Sequence, residues 1–553
     1  MAQKDYEKLA DCLRNISQCC HELKQHQDEL EVDQSIVDLY RKLPGRDPTT
    51  TKHLSQSLDK LGGDLDRLGR HKDALEADKE VVGLRRDLVK TNPTVAKDLA
   101  RSLHNLGIDL RAMGQHKDAL HATEEAVEIH RKLVETDPTV TKDLAWSLHG
   151  LSIDFRVLGQ HEDALHAAEE AVEFHRQLVE TDPTVTKDLA LSLDNLGADF
   201  SNLGQNEEAL CAAEEAVEIH RKLVETDPTV TKDLASSLYN LGLYSNNLGQ
   251  QEKALHAAEE AAEIRQKLVE ADPTTTKDLA LSLHKLGRYF SNVGQQEKGL
   301  HAAEQAANIH RKLVETDPTA TKDLALSLHA LGRHFRNLGR HNDALHTIEE
   351  AVGIHQKLAE TDPTVTKDLA RSLHNLGCIR RLLGLHEEAL QTDEQAMEIC
   401  RRNTKTDPTV LEDLAGSLEN AGLNLNALGR LNHHEDAAHI DEESNEILRK
   451  LGETDPGATA DSFHYLAVDL RSIGRHKDAL QAEESAVALY RKVPQIAPGL
   501  FRNFIDALEY LARDLRAIGQ EEDAVRTEAE LANLKSSSMQ GPNPSTDAAE
   551  SSR

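Results

Sequence analysis

Nine prolines act as a ruler along this chain. Pro48, Pro93, Pro138, Pro183, Pro228, Pro273, Pro318, Pro363 and Pro408 stand 45 residues apart. Aspartate precedes each of them except Pro93, which follows Asn92. Asp or Asn caps a helix N-terminus, and Pro is preorganised for its first position, so each dipeptide reads as a helix start. The stretch LVETDPTVTKDLA, identical at 133–145, 178–190 and 223–235, is then the end of one helix, a stop and the start of the next. A fixed period of this size makes the chain an array of repeats.

One period, 137–182, shows the unit. From Asp137 to about Leu158, apolar residues recur at helical spacing (Leu144, Leu148, Leu151, Phe155, Leu158) until Gly159 breaks the pattern. A second helix is predicted from about Glu162 to Glu180, with Ala164, Leu165, Ala168, Ala171, Val172 and Leu178 on its buried stripe. Neither helix can bury its stripe alone, so neighbouring repeats must stack. Composition agrees, since aromatics make up only 3% of the chain and Trp146 is the single Trp. Strand formers are therefore scarce while helix formers dominate. The predicted fold is an all-α solenoid of about twelve antiparallel helix pairs. The first starts near residue 3 and the last ends near Asn533.

The organisation follows from the register. A divergent repeat occupies 1–48, eight regular repeats fill 49–408, and three divergent ones fill 409–534. The polar stretch 535–553 lacks periodicity and is predicted to be disordered. Repeat ten carries three extra residues in GRLNHHEDA (429–437), and repeat eleven enters its first helix three residues short, after Pro456. Asn420, Tyr465 and Tyr510 consequently remain 45 apart.

Net charge is −32, which opposes binding to nucleic acid and anionic membranes. The six cysteines form no CxxC pair and read as reduced thiols of a cytoplasmic protein. The polar start is unlike a signal peptide, and no apolar run approaches spanning length. The pairs His116/His121, His161/His166 and His341/His346 are five apart, on different sides of a helix, and no HExxH occurs. No metal is expected. Neither GxxxxGK[ST] nor GxSxG is present, so the expectation is no catalytic residue, no cofactor and no enzyme.

The string Leu103, Leu106, Gly107, Gly114, Ala119, Ala126 places large, small and Gly residues as the tetratricopeptide repeat does. The module D-P-x-V-x-x-x-L…L-G…G-x-x-x-x-A-L…A-x-x-I resembles the long variant of kinesin light chain-type proteins. It departs from the 34-residue repeat in its period and in the aromatic replaced by Leu110 or Ser245. Repeats one, eleven and twelve diverge. The resemblance implies a right-handed superhelical solenoid that binds peptides or protein segments on a concave face lined by the first helices.

Comparison of the copies with one another locates a candidate site. The second helix and the joint barely change, whereas four positions of the first helix do. Offsets of three, four and three put these on one stripe. The first position reads Arg101, Trp146, Leu191, Ser236, Leu281, Leu326, Arg371, and the second reads His104, His149, Asp194, Tyr239, His284, His329, His374. The third holds Arg288, Arg333 and Cys378 among apolar residues, and the fourth reads Arg111, Arg156, Ser201, Asn246, Ser291, Arg336, Arg381. Eight arginines thus meet one carboxylate, Asp194. The asparagines Asn105, Asn195, Asn240, Asn375 and Asn420 resemble those that hold a peptide backbone in the family. Trp146 reads as a ligand anchor. The five stripe histidines are expected to titrate near pH 6 and to strengthen binding as pH falls.

These features predict a protein-binding adaptor that takes an extended, acidic peptide or protein segment in a basic groove. The alternative is a ligand-sensing array working with, or detached from, a signalling NTPase of the STAND/NLR type. A motor cargo adaptor would need a heptad coiled coil, and 1–43 shows helix-pair patterning instead. Oligomeric state is open at this stage.

Overall fold

The computed structural model describes residues 3–23, 25–43, 47–404, 408–428, 431–451, 456–493 and 498–539. The tail 540–553 and the turn residues 429–430 of the three-residue insertion lie outside them. Among the described residues every α-helix belongs to one of twelve consecutive packed pairs, and there is no strand. The chain divides into two compact units, Met1–Thr275 and Thr276–Arg553.

The joint differs from the sequence expectation in one detail. Asp137 Oδ1 accepts the Thr139 amide at 3.1 Å and the Thr139 hydroxyl at 2.6 Å. The capping oxygen therefore serves an amide two residues on, and the tightened turn Pro138–Val140 is 3₁₀. The α-helix itself starts at Thr141 and ends at Val157. Of the nine evenly spaced prolines only Pro48 opens its α-helix directly, where Asp47 accepts the Thr50 amide, three residues on, at 2.7 Å. The predicted break is real: Gly159 sits at φ 77°, a left-handed value that glycine adopts without strain. Gln160 N–H closes the end on Phe155 O at 2.9 Å. The second helix runs from His161 to Val179, one residue off at each end. The last helix runs Glu521–Met539, past the predicted end, because LANLKSSSM contains nothing that breaks a helix before Gly541.

Inside a pair, a small residue on the first helix admits a larger one from the second. A Cβ on Gly332 would collide with Cγ1 and Cδ1 of Ile348, which is fully buried. The core runs as a file of small clusters, such as Leu144, Leu148 and Leu151 against Ala167 and Ala171.

Within each unit, ladders tie successive regular pairs together. In the first, a buried second-helix histidine bonds a serine 17 residues on. The bonds are His130–Ser147 at 3.0 Å, His175–Ser192 at 2.9 Å and His220–Ser237 at 2.8 Å in unit one, with His310–Ser327 at 2.8 Å and His355–Ser372 at 3.0 Å in unit two. The second ladder joins Arg176 to Glu215 at 2.6 Å, Arg221 to Glu260 at 2.5 Å and Arg311 to Glu350 at 2.7 Å. The third joins Lys142 to Asp188 at 2.8 Å and Lys187 to Asp233 at 2.9 Å, from one joint to the next. Exposed pairs are individually weak, but their repetition ties these side chains to the period itself. No described helix is long and apolar enough to cross a membrane.

Candidate partner-binding site

The first helices of successive pairs touch within each unit: pairs three to six in unit one, seven to twelve in unit two. Across these contacts the stripe residues meet partners that the sequence reading missed. Arg111 (18% exposed) donates from Nε to Asp154 Oδ1 at 2.7 Å and from Nη2 to Oδ2 at 3.1 Å. Asp154 is fully buried and also accepts Thr123 Oγ1 at 2.8 Å. Arg156 repeats the arrangement with Asp199 at 2.8 Å and the Asn195 side-chain oxygen at 2.6 Å. These arginines are therefore neutralised inside the scaffold. Arg101 faces Asp143 at 3.6 Å, an exposed and exchangeable pair.

The asparagines are committed too. Asn195 donates to Ser152, Asn240 to Asp194 at 3.3 Å, Asn375 to His329 Nε2 at 3.0 Å, and Asn420 to Asp393 at 2.6 Å. Asn105 is half-buried. Trp146 is half-buried with its ring edge-on to His149 and His175, centroids 5.2 and 5.8 Å away. Tyr239 lies under the Arg265 guanidinium at 5.2 Å.

The histidines do not titrate as expected. Burial, and after it the charge of Arg111, holds His104 down at about 4. Burial and the neighbouring rings hold His149 at about 3. In unit two, burial and the adjoining cations put His284 at about 4 and His329 at about 3, and His374 is lowered as well. His104, His149, His284 and His329 therefore stay uncharged at pH 6, so the predicted mild-acid switch is corrected there to a neutral, hydrogen-bonding wall.

Unit two has a different arrangement. Its first helices Thr276–Asn292, Thr321–Asn337 and Thr366–Leu382 enclose a hollow of about 380 Å³, lined among others by His284, Arg288, His329, Arg333 and Arg371. At the position where Asp154 and Asp199 stood, these repeats carry Tyr289, His334 and Ile379, and the next carries Asn424. Arg336 consequently binds a neutral amide, Asn375 Oδ1, at 2.8 Å, and Arg381 binds Asn420 Oδ1 at 2.7 Å. Arg371 keeps Asp413 at 3.0 Å on an exposed edge. Among the described residues Arg288, Arg333 and Lys285 join no ion pair. Arg288 Nε is shut off from solvent with no hydrogen-bond partner. The crowding shows in their basicity: burial and then Arg336 and Arg288 lower Arg333, and burial and then Arg288 lower Lys285. Arg333 keeps its side chain open to solvent, and the neighbouring guanidinium charges of Arg336 and Arg288 press on it there.

The ladders also account for the uniformity of the second helices, because their His, Arg and Glu positions are pinned to neighbouring repeats. Variation confined to the first helices therefore does not by itself mark a binding surface, whereas unpaired charge does. In unit one, Glu29, Asp33 and Asp64 form a buried carboxylate group with oxygens within 4.8 Å of one another. Lys60 reaches Asp33 at 2.9 Å, and Arg67 reaches Glu29 at 3.3 Å and Asp64 at 3.2 Å, so protein cations already meet that charge.

Comparisons with known proteins agree with this architecture. Sequence profiles described as tetratricopeptide repeat match residues 98–177 and 323–402, and 189–229, 234–274 and 459–493, together about half of the chain. A profile described as anaphase-promoting complex subunit 5 matches residues 268–362. No curated protein sequence matches. Among solved structures, BtubC (BKLC) of P. vanneervenii is 19% identical, with 47% of this chain and 98% of that one covered and a TM-score of 0.37. A kinesin light chain-type protein of P. anserina with nearly identical repeats is 21% identical, with 40% and 99% covered and a TM-score of 0.31. Likeness at that level says nothing of partner or role.

Proposed function

Because this chain belongs to the tetratricopeptide repeat family, whose arrays are protein–protein interaction scaffolds, we propose that it is a non-enzymatic scaffold for an extended, acidic protein segment, captured chiefly on the first helices of the seventh to ninth pairs. The observation that carries the reading is the unpaired group Lys285, Arg288 and Arg333 beside a hollow of about 380 Å³. Arginine forks match carboxylates bidentately, and a buried donor without an acceptor is costly until a ligand supplies one. The chain is otherwise acidic, with net charge −32. Within the screening distance of about 8 Å at physiological salt, the body repels an acidic segment. Only a segment whose acids reach the hollow gains from binding, which supplies selectivity.

The test is a fluorescence-anisotropy titration with a labelled twelve-residue Glu-rich peptide. Arg288→Glu with Arg333→Glu should abolish binding, while Arg111→Met with Asp154→Leu, which removes a satisfied pair, should keep it. Equal binding by the charge-reversed protein would refute the site.

A further inference from the structure

The cations at and beside the hollow come two to a repeat, not the one per repeat that a row of carboxylates on an extended chain would ask. Arg288 and Arg333 occupy the same position of adjacent first helices, Lys285 stands one turn before Arg288, and Arg336 one turn after Arg333. Arg336 is held by an uncharged partner, Asn375. A single carboxylate brings one charge and two acceptor atoms to such a cluster, leaving most of its donors unmatched. A phosphoryl group brings about two charges and three acceptor oxygens, and pairs with guanidinium forks bidentately. The uncharged wall fits as well. His334 Nδ1 and Ser291 Oγ are hydrogen-bonded at 3.1 Å, and the Ser291 hydroxyl donates to Gln296 Oε1 at 3.0 Å, a network without a carboxylate. One acid, Asp368, stands on the wall, and its charge acts on His355.

We infer that the hollow between the first helices of the seventh and eighth pairs takes the phosphoryl group of a phosphorylated serine or threonine in the captured segment, with Arg288 and Arg333 as its bidentate partners. This rests on the proposed capture of an acidic segment and narrows it: phosphorylation of the partner becomes the signal for binding. The charges of Arg336 and Arg288 acting on Arg333, and of Arg288 on Lys285, support it beside the geometry, since a dianion among them relieves that repulsion.

The experiment uses the full chain and three labelled twelve-residue peptides of one acidic sequence, differing only at a central Ser, phosphoserine or Glu, with inorganic phosphate as competitor. Affinity should rise at least about tenfold from Ser to phosphoserine, the gain expected of charge-assisted hydrogen bonds, and should not rise comparably for Glu. Arg288→Gln and Arg333→Gln should each remove that gain. Neither residue has an ion-pair partner to lose, and unchanged circular-dichroism melting shows that the variants fold. Equal binding of the Glu and phosphoserine peptides overturns this inference and leaves the acidic-segment reading intact. Binding of none of the three overturns both. Inorganic phosphate that binds as tightly as the phosphopeptide assigns the hollow to a small anion and likewise overturns it.

Discussion

Asp154 offers a quantitative test of why the arginines of unit one are unavailable to a ligand. Its carboxylate is fully buried and takes two bonds from Arg111 and one from Thr123. Replacing Asp154 with Leu strands a guanidinium that is 18% exposed. Breaking a buried pair by removing one partner costs about 3–5 kcal/mol. Arg111→Met strands the carboxylate instead and should cost several kcal/mol as well. Thr123 loses little in the double variant, because its hydroxyl already bonds Ala119 O at 3.1 Å and Leu120 O at 3.0 Å. Arg111→Met with Asp154→Leu should therefore return to within about 1 kcal/mol of the wild type, giving a coupling energy of at least about 2 kcal/mol. Trp146 is the only Trp and shares the helix Thr141–Val157 with Asp154. Its fluorescence in a urea titration therefore reports the affected segment rather than the whole array. A cost below about 1 kcal/mol for Asp154→Leu, or absence of coupling, would mean that Arg111 is as available as Arg333 and would remove the distinction between the two units.

Two further outcomes concern pH. Burial raises Asp393 to about 8 while Asn420 and Asn424 donate to it at 2.6 and 3.2 Å. Its folded value lies above the unfolded one, so its contribution is fully present only below about 4 and is lost progressively as pH rises from there to about 8. Asp393→Asn should raise the melting temperature most at pH 8.5, less at pH 6 and least near pH 4, and an equal shift at all three would contradict the assignment. Binding of a Glu-rich peptide should be flat from pH 8 to 6, because His284 and His329 titrate at about 4 and 3. A rise in affinity towards pH 6 in an anisotropy titration would restore the histidine switch.

Much of the fold was legible because its signals are local. The Asp-Pro dipeptides, the glycine after each first helix and the apolar spacing act within a few residues, and they place Thr141–Val157 and His161–Val179 to within a few positions. The 3₁₀ turn was not legible, since it depends on whether the capping oxygen reaches two residues or three. Site chemistry was legible only in part. Counting charges along one helix found Arg111 and Arg156 but not Asp154 and Asp199, which lie 43 residues on and meet them only when repeats stack. A signal did exist in the sequence. Arg111, Arg156 and Arg471 are followed at that distance by Asp154, Asp199 and Asp514, whereas Arg336 and Arg381 are followed by Ile379 and Asn424. Depression of the histidines depends on burial, which the stripe pattern does not reveal.

The most direct test of the account is a site-specific photo-crosslink to the Glu-rich peptide from the same position of two repeats. Leu326 lines the unit-two hollow, and Leu191 is its counterpart in unit one. A benzophenone side chain at 326 should capture the peptide, with loss of the product in Arg288→Glu/Arg333→Glu, while one at 191 should capture little. Equal capture from both positions, or capture from 191 alone, would contradict the claim that unpaired charge in unit two is what holds the partner.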